Sequence, residues 1–271
     1  MRGTCAQRSP HGKENAVMAI QAPAQAAVSV SIITVTYNCE KTIARTIESV
    51  LNQTVPCREY IIKDGASTDA TLEIAQSYAA AFAEKGVDYR ILSAPDGGMY
   101  EALNEAIELC TGTVIGSVNG DDYYEPIAVE TVLREYEREP FDMLYGDLRV
   151  LGKRYTRIKK ARLGRYLTTR DWNHPTTFIT RETYAKEKYR CQSMVDDGDL
   201  YLRLRRGGYR VHTVNEVLSN FTFGEGMSTS KDFREALRRG GLKWQMYRQN
   251  GCGLLHWAES YATEIVKYFL A

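Results

Sequence analysis

The sequence lacks the features that define several common protein classes. Its 271 residues carry 35 Lys and Arg against 34 Asp and Glu, so the overall charge gives no reason to expect a nucleic-acid partner. The six cysteines show no C-x-x-C spacing, which argues against a zinc site and a disulfide framework. No apolar run approaches the roughly 20 residues that a membrane-spanning helix needs. These absences are typical of a cytoplasmic protein, and an apolar content of 44% suffices for a sizeable core.

The chain divides into four parts by composition and pattern. Residues 1–27 mix basic residues with Ala, Pro and Gln and contain no uninterrupted apolar core, so we interpret them as a disordered leader and not as a signal peptide. Strand-like and helical runs alternate regularly over 28–125, and the pattern becomes irregular over 126–230. Residues 231–271 are rich in aromatic and aliphatic residues at helical spacing, which predicts amphipathic helices separated at 251–253.

Alternating strands and helices over 28–125 predict a doubly wound α/β sheet. We expect Ser67 or Thr68 to cap the second helix. The predicted strands lie at 28–36, 59–63, 88–92 and 113–118, and the predicted helices at 41–52, around 72–78 and at 99–110. The fold class is therefore α/β, with a mostly parallel, Rossmann-like central sheet flanked by helices.

Polar loops follow each of the four predicted strands, at 37–40, 64–69, 96–98 and 119–122. Ligands of such sheets bind beyond the carboxyl ends of the strands. Asp121 and Asp122 are hard oxygen ligands that suit Mg²⁺ or Mn²⁺ bridging a diphosphate, although a turn with a capping Asp gives the same pattern. Asp64 is placed to accept from a nucleobase N–H group, and Asp96 to contact a base, ribose or sugar; a plain turn is the alternative for both.

Five segments, taken in order, resemble glycosyltransferase family 2, whose members are inverting enzymes with a GT-A fold. The matching segments are 31–38 (SIITVTYN), 62–69 (IKDGASTD), 95–104 (PDGGMYEALN), 111–112 (TG) and 119–122 (NGDD). No single segment is specific, but the ordered set is. The resemblance implies a GT-A domain with a C-terminal helical extension, in which 28–125 binds a nucleotide sugar and 126–230 forms the acceptor-binding and catalytic half.

The resemblance also implies roles for individual residues on the donor side. The metal would be held by Asp121 and Asp122, while Asn119, which replaces the first Asp of the usual pattern, would contact the ribose. Donor contacts would come from Thr36, Tyr37 and Glu40 at the border of the base pocket, Asp64 at the base, Asp96, and Asn104 near the ribose or sugar.

Two segments of the second half resemble the acceptor side of the same family. In 194–204 (MVDDGDLYLRL) Asp197 takes the place of the general base that an inverting transfer requires, with Asp196 or Asp199 as alternatives, one of which could cap the helix. In 173–178 (NHPTTF) His174 would contact the sugar or the diphosphate. His212 is a further candidate metal ligand, and the loop 223–229 would order over the bound diphosphate.

A basic segment at 149–170 contains nine Lys and Arg and no acidic residue. A solvated face is the default interpretation. The alternative is a contact with a lipid-diphosphate acceptor or with an anionic membrane surface, shared with the aromatic residues of 241–271. Those helices could equally pack on the domain or form a homodimer. We therefore expect a cytoplasmic location. Peripheral contact with the inner face of the membrane is a further expectation.

The resemblance implies an inverting, Mg²⁺- or Mn²⁺-dependent transfer of a sugar from a nucleotide donor, UDP-linked by expectation, to a saccharide or lipid-linked saccharide. It is nearest to bacterial enzymes of exopolysaccharide, capsule or O-antigen synthesis. One alternative is a nucleotidyltransferase, although the sequence after the first strand lacks the Gly-rich, Lys- or Arg-bearing loop typical of those enzymes. The other is a sugar- or lipid-binding scaffold that has lost turnover.

Overall fold

The computed structural model describes residues 27–153, 155–223 and 232–270. The predicted leader, apart from residue 27, and the predicted loop 223–229, apart from Phe223, lie outside these residues. In the described ranges the strands are β1 (Val30–Thr36), β2 (Glu59–Asp64), β3 (Asp88–Ser93), β4 (Val114–Ser117), β5 (Tyr123–Tyr124), β6 (Met143–Leu151), β7 (Thr156–Lys159), β8 (Thr177–Thr180) and β9 (Val211–Thr222). The helices are α1 (Ile43–Leu51), α2 (Thr71–Ser77), α3 (Ala79–Glu84), α4 (Met99–Leu109), α5 (Ala128–Arg138), α6 (Arg181–Lys186), α7 (Asp196–Arg206), α8 (Phe233–Gln249) and α9 (Leu255–Leu270).

The described strands form one sheet in the order β3-β2-β1-β4-β8-β6-β9-β5, with β7 paired to β6. The first four strands are mutually parallel, as the alternation of strands and helices predicts. Beyond β4 the sheet becomes mixed, because β8 runs antiparallel to both β4 and β6 while β9 is parallel to β6. The α/β architecture is confirmed, and the second half is where the sheet departs from the parallel pattern.

Strand β1 lies at the centre of the sheet and is buried along its whole length. Successive side chains of a strand point to opposite faces, so Ile33 and Val35 join one hydrophobic core and Val30 and Ile32 join the other. Two layers of helices therefore pack on the sheet. This burial on both faces explains why the sequence of β1 is a nearly continuous run of β-formers.

The predicted helices are found with small shifts at their ends. Helix α1 begins at Ile43, two residues after the predicted start. The second predicted helix corresponds to α2, and α3, which lies beyond the predicted range, follows directly after Tyr78. The prediction that Ser67 or Thr68 caps α2 is wrong. Ser67 is bound to Asp64, and the first N–H of α2, at Thr71, is instead bound by the Asp69 carboxylate at 3.0 Å.

The amino end of the sheet is organised by one buried carboxylate, Glu59. It accepts hydrogen bonds from Ser31 Oγ and from the backbone N–H groups of Thr111 and Gly112, and it pairs with Arg90. An added Cβ at Gly112 would lie 2.4 Å from Ser31 Oγ. The Thr111-Gly112 segment therefore has a structural role, at the edge of the sheet opposite the polar loops.

Helices α8 and α9 form an antiparallel hairpin whose turn contains Gly251 with φ of 65°. This is the separation that the sequence predicts at 251–253. Across the described residues, none of the helices combines the length and the apolar composition needed to cross a bilayer.

Candidate active site

The loops that follow β1 and β2 are bound tightly to each other. The Asn38 side-chain oxygen accepts the Thr68 N–H at 2.8 Å, and Ser67 Oγ accepts the Asn38 N–H at 2.8 Å. Asn38 and Ala66 both have positive φ, 52° and 62°, a conformation that non-glycine residues rarely adopt and that clusters at functional sites. The two loops thus form one rigid wall at the carboxyl edge of the sheet.

Asp64 lies at the last pair of β2 and is buried, opposite Thr36 of β1 and Ser93 of β3. One carboxylate oxygen accepts the Ser67 N–H at 3.0 Å and the Ser93 hydroxyl at 2.7 Å, and the other accepts the Ser67 hydroxyl. A carboxylate oxygen can accept two hydrogen bonds, so the Ser67 hydroxyl leaves its acceptor oxygen with capacity for one more donor. Asp64 is therefore held in a fixed position and keeps the capacity to accept one more hydrogen bond.

The side chains of Tyr37 and Glu40 lie at the outer side of this wall. The Tyr37 ring is 61% exposed, so it is available to stack on a planar group. The Glu40 carboxylate accepts the Ala70 N–H at 3.2 Å, which links the first loop to the start of α2. Glu40 has a structural contact in addition to its position near the predicted base pocket.

Thr36 and Asp96 line the inner side of the edge. Thr36 is buried, and its hydroxyl has no hydrogen-bond partner in the part of the chain described. An added Cβ at Gly120 would lie 2.7 Å from this hydroxyl, and one at Gly65 would lie 3.1 Å from an Asp96 carboxylate oxygen. The two glycines let the loops after β1, β2, β3 and β4 approach each other closely. The four polar loops predicted to converge are therefore brought together.

Asp121 and Asp122 follow β4 and are held by helix α1. Thr46 Oγ1 donates to the Asp122 carbonyl at 2.6 Å, and the Arg45 guanidinium donates to the Asp121 carbonyl at 2.8 Å. The Asp122 side chain is buried and accepts the Thr222 N–H at 3.4 Å. Burial, together with the neighbouring charge of Asp121, raises the pKa of Asp122 well above its ordinary value.

The two carboxylates fit a metal site that substrate oxygens complete better than a site formed by protein ligands alone. Within the described ranges, no group of three or more His, Cys, Asp or Glu side chains is arranged to hold a metal ion. Mg²⁺ is commonly bound by one or two carboxylates, with substrate phosphates and water completing its coordination. A buried carboxylate with a raised pKa beside a second carboxylate is also an environment that a divalent cation stabilises.

The three aspartates in the first turn of α7 have different partners. The Asp196 carboxylate accepts the N–H groups of Gln192 and Ser193, both at 2.8 Å. Asp199 accepts from Arg203 Nε at 2.9 Å and from Asn250 at 2.8 Å. Asp196 therefore closes the turn before the helix, and Asp199 fastens α7 to the end of α8. Both are buried.

Asp197 is the aspartate of this group that remains open to solvent, with 25% of its side chain exposed. One of its oxygens lies 3.8 Å from His174 Nδ1, and the other accepts the N–H of Gly198 at 2.8 Å. Tyr100, in the first turn of α4, donates to the Met194 carbonyl at 3.2 Å. Burial and the nearby Asp197 carboxylate raise the pKa of Tyr100 well above its ordinary value. Since α4 begins directly after the Asp96 loop, Asp197 lies on the same side of the molecule as the donor loops.

The ring of His174 lies against Trp172, with ring centroids 5.5 Å apart. Trp172 stacks on Tyr201 with ring centroids 4.9 Å apart and donates to Thr177 Oγ1 at 2.9 Å. The Asn173 side chain donates to the Gly146 carbonyl at 2.8 Å. His174 Nε2 is buried without a hydrogen-bond partner among the described residues. Buried polar atoms of this kind are usually satisfied by protein, water or a ligand, so Nε2 has hydrogen-bonding capacity that the described residues do not use.

Comparison with known proteins identifies the family. A sequence profile described as "Glycosyl transferase family 2" matches residues 31–195, a range that contains every polar loop described above together with His174. The chain belongs to glycosyltransferase family 2. The resemblance inferred from the motifs is thereby confirmed.

Individual known proteins resemble the chain over different lengths. Chondroitin synthase of Escherichia coli is 42% identical over 110 residues, which are 41% of this chain and 16% of that protein. EpsE of Bacillus subtilis (strain 168) is 31% identical over 201 residues, 70% of this chain and 71% of its own. The chain spans only a small part of the synthases and most of EpsE.

Solved structures support the GT-A fold. Staphylococcus aureus TarS, residues 1–349, in complex with UDP-GlcNAc has a TM-score of 0.62 at 18% identity, covering 89% of this chain and 73% of the other. The mannosyltransferase PcManGT of Pyrobaculum calidifontis, in complex with GDP-Man and Mn²⁺, has a TM-score of 0.63 at 15% identity, covering 88% and 73%. The predicted GT-A architecture is confirmed.

One residue assigned from the family resemblance lies far from its expected place, and another has a structural partner. The prediction that His212 is a metal ligand is wrong, because His212 lies at the start of β9, ten residues before Thr222, or about 30 Å along the strand from Asp122. Asn104 uses its side-chain amide to bind the backbone of Tyr189, donating at 2.8 Å and accepting at 3.1 Å. These bonds connect α4 to the segment before α7, and the contact of Asn104 with the ribose or sugar stays a prediction.

Much of the basic segment at 149–170 is engaged within the protein. Arg149 pairs with Glu125, and Lys160 Nζ lies 2.6 Å from the Asp147 carboxylate. Lys159 Nζ donates to the Trp172 carbonyl at 2.6 Å, and burial, together with the charges of Lys243 and Lys267, lowers the pKa of Lys159 to about 7. The solvated face expected by default is thus only part of this segment.

Sequence reasoning missed three residues that shape the site. Arg45 places a guanidinium beside the Asp121 backbone, Ser93 anchors Asp64, and Tyr100 borders Asp197. Tyr100 lies inside a segment that resembles the family, but its type alone gave no reason to single it out. Arg45 is the third residue of α1. No motif around it marks it as a site residue in a single sequence.

Proposed function

We propose that the protein is an inverting, metal-dependent glycosyltransferase that moves a sugar from a nucleotide donor to an acceptor hydroxyl. One observation carries the proposal: Asp64, Asp96 and the Asp121-Asp122 pair meet at one edge of the sheet, with Asp197 and His174 on the same side. Membership of glycosyltransferase family 2 supports the reaction class. The polarity of this edge supports a charged, hydrogen-bonding ligand.

The donor would lie across the carboxyl edge of the sheet. Asp64, already held by Ser67 and Ser93, accepts an N–H of the base, and the exposed Tyr37 ring covers the base plane. UDP is the favoured nucleotide because uracil offers a single N–H that one accepting carboxylate oxygen can bind. Thr36 and Asn119 contact the ribose, and Asp96 contacts the sugar.

Asp121 and Asp122 would hold Mg²⁺ or Mn²⁺ together with the diphosphate. When bound, such an ion neutralises charge that develops on the leaving diphosphate. Arg45, whose guanidinium reaches the Asp121 carbonyl, adds positive charge at the same point. The two carboxylates thus supply the ligand set, and the helix that carries Arg45 and Thr46 keeps their backbone in position.

Asp197 would act as the general base. Its carboxylate takes the proton of the acceptor hydroxyl as that oxygen attacks the anomeric carbon, and the nucleoside diphosphate leaves from the opposite face. Asp196 and Asp199 are unsuited to this role because both are buried and occupied by structural hydrogen bonds. His174 donates to a sugar or diphosphate oxygen through Nε2, with its ring orientation fixed by Trp172 and Asn173.

The proposed class of acceptor follows from the proteins that the chain resembles. Chondroitin and hyaluronan synthases are among the matching proteins, and both names describe the synthesis of polysaccharides. We therefore propose a saccharide or lipid-linked saccharide acceptor in the synthesis of a bacterial surface polysaccharide. The chain spans a small fraction of those synthases, and the proposal concerns the transfer step.

The test of the proposed function is donor turnover. The protein, incubated with a panel of nucleotide sugars, should release nucleoside diphosphate in the presence of Mn²⁺ and lose this activity with EDTA. Asp121→Asn should lower the rate by about 10²-fold or more because a ligand and a negative charge are removed. Asp88→Asn, the same change at the opposite end of the sheet, is the matched control and should leave the rate unchanged.

The products distinguish the alternatives. Release of pyrophosphate in place of a nucleoside diphosphate would indicate a nucleotidyltransferase. No turnover with any donor, from a folded protein that still binds nucleotide, would indicate a binding scaffold. Proton NMR of the glycoside formed from an α-linked donor should show a β-linkage; an α-linkage would contradict the inverting mechanism.

A further inference from the structure

Helix α9 has its polar side turned towards the protein and its apolar side turned towards solvent. The buried residues of α9 are His256, Ser260 and Glu264. Five exposed residues, spaced 3, 4, 4 and 3 positions apart in the sequence, form one stripe along the helix. All five are apolar: Leu255, Ala258, Ala262, Val266 and Phe269. An amphipathic surface helix normally shows the opposite arrangement.

Specific polar contacts fix this orientation. His256 Nε2 lies 2.7 Å from the Leu167 carbonyl, and the Glu259 carboxylate accepts from Tyr247 Oη at 2.8 Å. Lys243 Nζ of α8 donates to Thr263 Oγ1 of α9 at 3.2 Å. Both acidic residues of α9, Glu259 and Glu264, are thus drawn inwards with only 7% and 8% of their side chains exposed. Turning the apolar stripe inwards would break these contacts, so the outward stripe belongs to the fold.

A second exposed apolar group adjoins the first turn of α9. The Tyr166 ring stacks on the His256 ring with centroids 4.8 Å apart, which brings the 162–166 segment beside residues 254–257. Large side chains are exposed in both segments: Leu163, Tyr166, Leu254, Leu255 and Trp257. We name these residues, together with the stripe on α9, the C-terminal patch.

The surroundings of the C-terminal patch are basic. No Asp or Glu occurs between residues 148 and 170 or between 236 and 258, and the contacts of Tyr247 with Thr169 and of His256 with Leu167 bring these two acid-free stretches together. Arg162, Arg165 and Arg248 are exposed. In the described residues, these three arginines make no ion pair within 4 Å, so their charge is available to an external partner.

We propose that the C-terminal patch docks on the surface of an anionic lipid bilayer, with α9 lying parallel to the membrane plane. An interfacial helix buries an apolar face in the headgroup region, and Trp and Tyr are enriched at this depth. Exposed arginines beside the apolar face attract anionic headgroups. A protein partner would require acidic groups opposite these arginines, whereas an anionic bilayer supplies that charge by its composition. This proposal goes beyond the transfer reaction and does not depend on it.

Vesicle flotation of the full chain tests the proposal. The protein should float with vesicles that contain phosphatidylglycerol and bind vesicles of phosphatidylcholine alone more weakly. Val266→Glu with Phe269→Glu should weaken binding roughly tenfold or more, because two apolar side chains are replaced by charges. Arg162→Glu with Arg165→Glu should remove the preference for anionic vesicles. Leu109→Glu, at an exposed apolar position on α4, is the matched control and should bind as the wild type does.

Circular dichroism of each variant should match the wild type, since every changed side chain is exposed. Equal binding of the wild type to neutral and anionic vesicles would overturn the proposal, as would no binding to either. If sedimentation instead shows a wild-type dimer that Val266→Glu with Phe269→Glu dissociates, and vesicles bind neither form, then a second copy of the chain covers the patch.

Discussion

Three carboxylates within four residues at the start of α7 illustrate how position decides the role of a side chain. Asp196 satisfies two backbone N–H groups, Asp199 binds Arg203 and Asn250, and Asp197 faces His174. Their chemistry is identical, but their partners leave one of them available to substrate. A carboxylate that already accepts from buried donors cannot take up a proton without losing those bonds.

Asp197→Asn is expected to abolish transfer while leaving the donor bound. The amide cannot accept the hydroxyl proton, so kcat should fall by about 10²- to 10⁴-fold with little change in the dissociation constant for the nucleotide. Single-turnover kinetics and calorimetric titration with the nucleotide measure the two quantities. Asp196→Asn is the matched comparison: it should lower the melting temperature, and any kcat loss equal to that of Asp197→Asn would refute the assignment of the base.

The Glu59 carboxylate, at the amino end of the sheet, makes the stability of the fold depend on pH. Burial alone would raise the pKa of Glu59, but hydrogen bonds from Ser31, Thr111 and Gly112 outweigh it and hold the pKa below its ordinary value. A group with a lowered pKa stabilises the fold above its unfolded pKa, about 4.3, and loses that contribution as the pH falls through the folded pKa.

Glu59→Gln should therefore lower the free energy of unfolding at neutral pH by about 1–3 kcal/mol and flatten its decline below pH 4. Urea titrations at several pH values measure this. Glu182→Gln, at an exposed residue whose carboxylate pairs with Lys186, should leave the free energy of unfolding almost unchanged. An equal pH dependence in wild type and Glu59→Gln would show that the Glu59 network does not act as described.

At the scale of elements, the first half of the chain was predictable and the second half was not. The period of apolar residues located β1 to β4 and the helices α1, α2 and α4 because strands and helices that pack back on the sheet alternate there. The antiparallel insertion of β8 between β4 and β6 depends on contacts far apart in sequence. Neither the residue types of Thr177–Thr180 nor their spacing specifies those neighbours.

Local errors had local physical causes. Ser67 precedes a helix and has the side chain of a cap, but Asp64, three residues earlier, binds it first. His212 lies near the start of β9, and only the register of β9 against β6 shows which end of the sheet it occupies. Motifs thus located the candidate site, while the partners of each side chain required the structure.

Two lysine ammonium groups, those of Lys243 and Lys159, are largely buried at the hairpin of α8 and α9. The free-energy cost of burying them depends on pH. Burial, with the nearby Lys267 charge, lowers the pKa of Lys243 to about 8, and the pKa of Lys159 is lowered to about 7. The unfolded chain keeps these lysines near 10.4. Between the folded and unfolded values the unfolded state binds more protons, so stability rises with pH in that window.

Lys159→Met with Lys243→Met should therefore raise the melting temperature at pH 6 and remove the increase between pH 7 and 10 that the wild type shows. Differential scanning calorimetry across that range measures both effects. Lys186→Met, at an exposed lysine of α6, should follow the wild-type profile. A wild-type melting temperature that declines from pH 7 to 9, with the double variant declining in parallel, would contradict this origin of the pH dependence.

At the scale of the whole molecule, donor binding should join the two halves of the sheet. The proposed ligand contacts the loops after β1, β2, β3 and β4 together with residues beside Thr222 at the end of β9. A ligand that binds only the folded state stabilises it by about 2.7 kcal/mol at a hundred times its dissociation constant. Such stabilisation acts on elements that are distant in the chain.

Thermal-shift measurements should show a rise of several degrees with UDP and Mn²⁺ together, and a smaller rise with either alone. GDP with Mn²⁺ should give less than UDP with Mn²⁺, since one carboxylate, Asp64, serves the base. A larger shift with GDP would indicate that the donor is a guanine nucleotide and not UDP. A shift with UDP and Mn²⁺ that EDTA leaves unchanged would show that the metal takes no part in donor binding.

The polar contacts beneath α9 also determine how this helix can leave the protein. Polar contacts provide part of its docking, and aromatic contacts add to them: the Tyr268 ring meets Phe233 with centroids 5.6 Å apart, and His256 packs on the buried Tyr247 ring. Because the inward side of α9 is largely polar, its detachment should become easier as salt weakens the ion pair between Glu259 and Arg170. In amide hydrogen exchange, α9 should form a cooperative unit of its own, which opens well before the sheet.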